Sequence, residues 1–374
     1  MIYFDNAATG GFKPRAVTDA AESVLRFLCA NPGRSGHRLS LAGAKIISDC
    51  RDIFASTFYC QPDRVIFTKN CTEALNLAIF GIINQGDHVI TTVYEHNSVL
   101  RPLFYLKKQK VITLDVVAPQ KDKSIDECIK ERIKNDTRVI VTTAVSNVTG
   151  EQLPLLKIGQ IAKERGIFYV VDGAQGGGHI PLSLDRTGIS LLALAGHKGL
   201  YGIMGSGVLL IADGVSVRPL IHGGTGSESF NLYQPDTYPE RLEAGTHNLP
   251  AIASLTEGVR FISANMKNFS EHLFLATEKL ISNLGVMKNV TCYSVPNRSG
   301  IVSFALNNLP SAEVADILNT EYDVAVRGGL HCAPLIHKHL NTHEEGLVRV
   351  SLAVQNSSRE TNYLLRAIAE TTNR

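Results

Sequence analysis

The chain is predicted to be an α/β protein, with a large, mostly parallel sheet and a smaller α+β lobe at its C-terminal end. Two patterns and one length predict this. Over residues 65–211, apolar runs short enough for single buried strands alternate with helical segments, the sign of a doubly wound sheet. From Leu249 onward the pattern changes to long helices and short strands, which marks a second lobe. At 374 residues the chain exceeds what one hydrophobic core ordinarily serves. The expected division gives residues 15–250 to the large lobe, and residues 1–14 and 251–374 to the small one.

Each element carries its own signal. Asp5-Asn6-Ala7-Ala8-Thr9-Gly10-Gly11 is a turn-rich opening of small residues, over which backbone can approach a ligand closely. Pro14 starts a helix over residues 15–29, and a polar loop over 31–38 leads into a long amphipathic helix over 39–59. Strand 65–68 turns through Lys69-Asn70-Cys71-Thr72 into a helix, with Thr72 as the expected N-cap. Strands follow at 88–92, 111–116, 138–143 and 168–172, with a helix around 125–133 and another ended by Gly166. The run 189–195 is too short for a buried helix and reads as a core strand, after which glycine recurs from Gly199 to Gly207. Beyond two polar stretches, 223–227 and 243–248, helices are expected over 251–263 and 269–283. Strands at 290–295 and 300–305 and two further helices complete the chain.

Composition narrows the class. Hydrophobic residues at 44% and charged residues at 19% describe a soluble globular protein. Lys+Arg 37 against Asp+Glu 35 leaves no basic excess, so nucleic acid is not an expected partner. No apolar run approaches a membrane span, and the first residues lack a signal peptide's basic start, so no membrane association is expected. Seven scattered cysteines without a CxxC pair argue for reduced thiols in a cytoplasmic protein, against a disulfide framework or zinc site. His337, His339 and His343 fit no recognised zinc spacing, so no metal is expected.

Chemistry enters at two neighbouring strand ends. Strand 168–172 ends in Asp172, and the strand over 189–195 runs into Gly196-His197-Lys198. Side by side in a parallel sheet, Asp172 and Lys198 project from the carboxyl edge, where open α/β sheets hold ligands. A lysine there, walled by apolar material, loses hydration and favours the neutral amine that attacks a carbonyl. A carboxylate for a pyridinium nitrogen and a lysine for an imine are what pyridoxal phosphate asks of a protein.

Asp172-Gly173-Ala174-Gln175 followed by Ala195-Gly196-His197-Lys198 resembles the class V aminotransferase family, most of all its cysteine desulfurase and selenocysteine lyase branch. The likeness runs from Asp5 to about Asn356. It implies fold type I of the pyridoxal-phosphate-dependent transferases, pyridoxal 5'-phosphate as cofactor, and a homodimer. Lys198 then holds the cofactor as an imine and shuttles protons, and Asp172 keeps the ring nitrogen protonated. The Cys71 amide and the Thr72 amide and hydroxyl take the phosphate, although residue type alone makes Thr72 a simple cap. His96, in Glu95-His96-Asn97-Ser98, stacks on the ring and is placed to accept the substrate thiol's proton; read alone it is a surface histidine. Asn147 faces the ring hydroxyl and the substrate, where residue type alone reads as a turn. Gln175 and His197 complete the cofactor set in this chain. Thr246, in Glu243-Ala244-Gly245-Thr246, reaches the phosphate held by the partner subunit. Asn6, Ala7 and His37 lie near the substrate.

The C-terminal lobe supplies the thiol. Cys332 lies in a glycine-loosened loop, Arg327-Gly328-Gly329-Leu330-His331-Cys332, where a nearby cation favours thiolate. The resemblance makes this the persulfide-forming loop, with Arg349, aided by Arg327, on the substrate carboxylate. One position departs from the family. A serine commonly precedes Gly-His-Lys, contributing a phosphate hydroxyl, and here it is Ala195. The expected activity is conversion of L-cysteine to L-alanine, with sulfur passing to Cys332 and on to an acceptor protein. The alternatives are a selenocysteine lyase or other β-lyase of the same fold, and a catalytically silent cofactor-binding partner module.

Overall fold

The computed structural model describes residues 1–28, 30–33, 35–307 and 309–372; residue 29, at the end of the first expected helix, and residue 34, in the polar loop, lie outside them. A two-residue strand β1 (Ile2–Tyr3) precedes two helices, α1 (Arg15–Phe27) and α2 (Arg38–Phe58). The alternating stretch then runs β2 (Val65–Thr68), α3 (Cys71–Ile82), β3 (His88–Thr92), α4 (Asn97–Lys108), β4 (Thr113–Val117) and α5 (Ile125–Glu131). It continues as β5 (Thr137–Thr143), α6 (Leu155–Glu164), β6 (Phe168–Asp172), α7 (Leu184–Thr187), β7 (Leu191–Ala195) and β8 (Gly207–Ile211). After it come α8 (Leu249–Gly285), β9 (Val290–Cys292), β10 (Ile301–Leu306), α9 (Ser311–Tyr322), β11 (Val324–Ala325) and β12 (Arg327–Gly329). The chain ends with α10 (Pro334–His339), β13 (Leu347–Ser351) and α11 (Ser358–Thr371).

The large sheet has the order β2-β8-β7-β6-β5-β3-β4. Strands β7, β6, β5, β3 and β4 pair in parallel, and β8 runs antiparallel to both β7 and β2. This is the mostly parallel α/β sheet the sequence predicts. Because successive strand residues point to opposite faces, Val170 belongs to the core that holds Leu75 and Ile79 of α3, and Val171 to the core that holds Phe54 and Phe58 of α2. Both faces are therefore covered, as parallel sheets require. A four-stranded antiparallel sheet, β12-β13-β10-β9, has its own core of Phe4, Leu280, Phe304, Leu318, Val348 and Ile368. Strand β1 pairs in parallel with β11, which ties the first residues to this C-terminal part. Among the described residues no helix is long and apolar enough to cross a membrane.

Two local expectations are corrected. The N-cap of α3 is Asn70, not Thr72, and its side chain accepts from the Glu73 amide at 2.9 Å. The helices expected over 251–263 and 269–283 are one helix, α8. The residues between them include no glycine or proline, and Asn265 turns its amide back onto the Phe261 carbonyl at 2.8 Å, so nothing breaks the ladder.

A buried ion pair fixes the stretch that carries Thr246. Arg51 of α2 meets Glu243 at 2.5 Å, and Glu243 accepts from the Phe67 amide at 2.6 Å and faces His247 at 3.1 Å. Burial alone would raise the Glu243 pKa, but Arg51 and then His247 leave it below the ordinary 4.5. A depressed carboxylate contributes stability above its unfolded pKa and loses it as pH falls through the folded value. The pair's share therefore persists at neutral pH and disappears only in acid below 4.5. Arg51→Met leaves Glu243 buried without its cation and is expected to cost about 3–5 kcal/mol at pH 7, read by urea unfolding. A loss below about 1 kcal/mol would show that Glu243 finds another partner.

Candidate active site

Parallel strands place their carboxyl ends on one edge, and three such ends form the floor of the site. Thr143 at the end of β5 is in register with Asp172 at the end of β6, and Asp172 with Ala193 in β7. Lys198 follows three residues after β7. A cleft of about 490 Å³ is lined by Cys71, Thr72, His96, Asn147, Asp172, Gln175, Ala195, His197 and Lys198. Every residue assigned to the cofactor from the sequence, Thr246 excepted, thus meets in one place.

The electrostatics suit an amine nucleophile. Burial lowers the Lys198 pKa from that of a free lysine, while the Asp172 carboxylate pulls the other way. Burial, then the charges of Lys198 and Lys13, push His197 down to about 4, so it is neutral at pH 7. Its Nδ1 lies 3.1 Å from the Thr9 hydroxyl, and its carbonyl accepts from the Gly10 amide, Thr9 Oγ1 and Lys13 Nζ at 3.0–3.2 Å. The opening segment is thereby tied to the residue just before Lys198. At α3, Asn70 occupies the Glu73 amide and leaves those of Cys71 and Thr72 at the helix start for an anion. The Thr72 hydroxyl lies 2.8 Å from Ser98 Oγ, which lies 2.9 Å from His96 Nδ1. The Ser98 amide also donates to His96 Nδ1, at 3.1 Å, which in the neutral ring places the proton on Nε2.

On the other side of Lys198 a smaller cleft of about 360 Å³ is lined by Asn6, Ala7 and Gln175 among others. Gln175 Nε2 donates to the Ala7 carbonyl at 2.9 Å. Arg349 projects from β13 and is 1% exposed. Its Nη1 donates to the Asn147 carbonyl at 3.0 Å, its Nη2 pairs with Asp5 at 2.9 Å, and its Nε is buried with no hydrogen-bond partner among the described residues. A buried guanidinium N–H without a partner is a costly group that an anionic ligand would satisfy.

Cys332 is exposed, with the Arg327 guanidinium 3.7 Å from its sulfur. His331 and Cys332 both adopt left-handed backbone, φ 50° and 58°, a conformation disfavoured for residues with side chains. Three hydrogen bonds hold it. Asn147 Nδ2 donates to the His331 carbonyl at 2.7 Å, the Asn97 amide to the Cys332 carbonyl at 2.7 Å, and His331 Nε2 lies 3.0 Å from the Leu347 carbonyl. The thiol loop is thus fastened to Asn147, which lines the Lys198 cleft, and to Asn97, which follows His96.

Two expected residues stand apart in the single chain. His37 caps α2, its Nδ1 accepting from the Ser40 amide at 3.3 Å, and borders neither cleft at Lys198. Thr246 lines a different cavity of about 1260 Å³ with Lys69, Glu73 and Gly207. That cavity is larger, but its lining includes neither Lys198 nor Asp172. Sequence reading missed Asp5 as the partner of Arg349, Ser98 between Thr72 and His96, and the side chain of Cys71. It also gave no role to Glu95, which is wholly buried and pushed by burial to about 8. Among the described residues no group of three or more His, Cys, Asp or Glu is placed to hold a metal.

Comparison with known proteins agrees with this geometry. Residues 2–364 match the family model described as aminotransferase class-V. A probable cysteine desulfurase of Methanothermobacter thermautotrophicus is 31% identical over 99% of this chain and 94% of its own length. A probable cysteine desulfurase of Pyrococcus abyssi is 32% identical with the same coverage. The apo structure of a cysteine desulfurase from Thermococcus onnurineus NA1 superposes with a TM-score of 0.93 at 30% identity, covering all of this chain and 94% of the other.

Proposed function

Because the chain belongs to the class V aminotransferase family, whose members work with pyridoxal phosphate, we propose that it is a cysteine desulfurase that binds this cofactor and converts L-cysteine to L-alanine. The observation that carries the reading is half-buried Lys198 sharing one cleft with buried Asp172, with the loop of the exposed Cys332 fastened to Asn147 of its wall. The residues present fit the cofactor. Lys198 would bond to it, Asp172 would hold its ring nitrogen, and the free amides at the start of α3 would take its phosphate. When bound, the cofactor supplies an electron sink for charge at the substrate Cα.

The chain's own groups do the rest. Arg349, with its unpartnered Nε, binds the substrate carboxylate, and Asp5 and Asn147 hold the guanidinium in place. Lys198, a neutral amine once displaced, moves the Cα proton. His96, neutral because burial disfavours its charged form in the free site, turns its Nε2–H toward the substrate sulfur, and the thiol proton travels with that sulfur to Cys332. Cys332 attacks the substrate sulfur, so an S–S bond forms as the C–S bond breaks and its electrons stay with the carbon that becomes the alanine methyl group. Incubation with cysteine, followed by alanine analysis and intact-protein mass, tests the reading: alanine and one added sulfur on Cys332 are expected. Faster turnover of selenocysteine with no added sulfur would assign a lyase instead.

Two further parts of the proposal are testable. At Ala195, which lines the cleft, a hydroxyl would add a donor for the phosphate. Ala195→Ser is expected to tighten cofactor retention by roughly one hydrogen bond, about 1 kcal/mol. Dialysis against a cofactor trap measures it, and equal or faster loss counts against the idea. The second part is a homodimer in which Thr246 of the partner subunit completes the phosphate site. Phe230, Leu232 and Tyr233, almost fully exposed beside the 223–227 stretch, support an interface there. Dissociation and loss of activity should coincide in sedimentation runs at assay concentration; a fully active monomer excludes the arrangement. The pairing of β1 with β11 supports the division into residues 15–250 and a smaller lobe of 1–14 and 251–374. Unpaired thiols at the six described cysteines support a reducing cytoplasm.

A further inference from the structure

Resting on that reading, one contact concerns a side chain that the cofactor's phosphate does not need. Cys71 is the first residue of α3, and its sulfur, 3.4 Å from Asp172 Oδ1, donates to that oxygen. The same Oδ1 accepts from the Ala174 amide at 2.9 Å. Among the described residues no hydrogen bond reaches Oδ2. Oδ1 is therefore occupied by two protein donors and Oδ2 is left for a ligand. Cys71 is buried, and burial followed by the nearby Asp172 charge raises its pKa well above that of a free thiol. The group is an S–H donor at every working pH and does not compete with Cys332 as a nucleophile.

We propose that the Cys71 side chain is a positioning residue, which fixes the Asp172 carboxylate and draws charge from it, and so tunes the acidity of the cofactor held there. A hydrogen bond to a carboxylate spreads its negative charge, which weakens its support for a proton on the ring nitrogen and, through the ring, on the Lys198 linkage. A thiol is a weak donor, so the effect is smaller than a hydroxyl would give.

The test has two arms. In cofactor-free protein the infrared S–H stretching band of Cys71, identified by its loss in Cys71→Ala, should lie at the low frequency of a bonded thiol and move up in Asp172→Ala. In cofactor-loaded protein the visible absorbance titrates with pH, and Cys71→Ala should raise the midpoint by roughly half a pH unit. Cys71→Ser, which keeps a donor, should lie at or below the wild-type midpoint. Should the alanine variant not fold, Cys71→Val removes the donor while filling the space and is expected to match the alanine result. An unmoved midpoint in the donor-free variants, or equal shifts in Ala and Ser, overturns the tuning role by tracing the effect to volume or to nothing. A thiol band unaffected by Asp172→Ala overturns the contact. Wild-type protein that takes up no pyridoxal phosphate sinks the functional reading and the tuning role together, and the first arm still judges the contact separately.

Discussion

Lys198→Ala is expected to abolish covalent retention of the cofactor and to lower alanine formation by about 10³-fold or more. The expectation follows from position as much as from residue type. Lys198 is half-buried at the sheet's carboxyl edge, where desolvation favours the amine, and it shares its cleft with Asp172. The variant loses both the anchor and the base that moves the Cα proton. Borohydride reduction followed by peptide mass analysis reads the anchor directly. Lys13 is the instructive competitor, since burial lowers it to about 8 and its Nζ already touches the His197 carbonyl. Cofactor trapped on Lys13 in the wild type would reassign the anchor.

The second large effect lies at Cys332. Only four residues, 330–333, separate β12 from α10, and Pro334 opens that helix. With the His331 and Cys332 carbonyls each held by a hydrogen bond, the thiol has little reach. We therefore expect slow turnover with cysteine alone and a stalled persulfide on Cys332, released when an acceptor protein brings its own thiolate to the loop. An acceptor should speed alanine formation by about 10-fold or more, and Cys332→Ala should remove both the basal and the stimulated rate. Rapid turnover without acceptor or added thiol, or a fully active Cys332→Ala, would defeat this expectation.

What could be read from the sequence divides along physical lines. The Asp172 and Lys198 strands were legible because periodicity and length are local, and strand ends in a parallel sheet share an edge. The C-terminal thiol loop was legible through its spacing from Arg327. Asp5 and Cys71 were not, because their meaning depends on partners 344 and 101 residues away in the chain. The sequence signal for Asp5 existed only as a requirement: an arginine inside an apolar strand must find a carboxylate, but the strand does not say which. The cap at Asn70 was mistaken for Thr72 because both are good cap residues and the choice turns on one amide. The continuity of α8 was missed because a pause in apolar periodicity is not a break in backbone hydrogen bonding.

That continuity has a mechanical consequence. At about 1.5 Å per residue, the 37 residues of α8 make a rod of about 55 Å. Ile252, Leu255 and Val259 are set in the core beneath the large sheet, and Leu273, Leu280 and Leu284 in the core that includes Phe304 and Val350. A strut cemented at both ends transmits torque rather than absorbing it, and α8 contains no proline beyond its first turn at which to flex. Opening and closing around a substrate is then work for the short spans that touch the cleft, above all the opening segment around Thr9 and the loop of Cys332. Small-angle scattering should accordingly record the same radius of gyration with and without a substrate analogue.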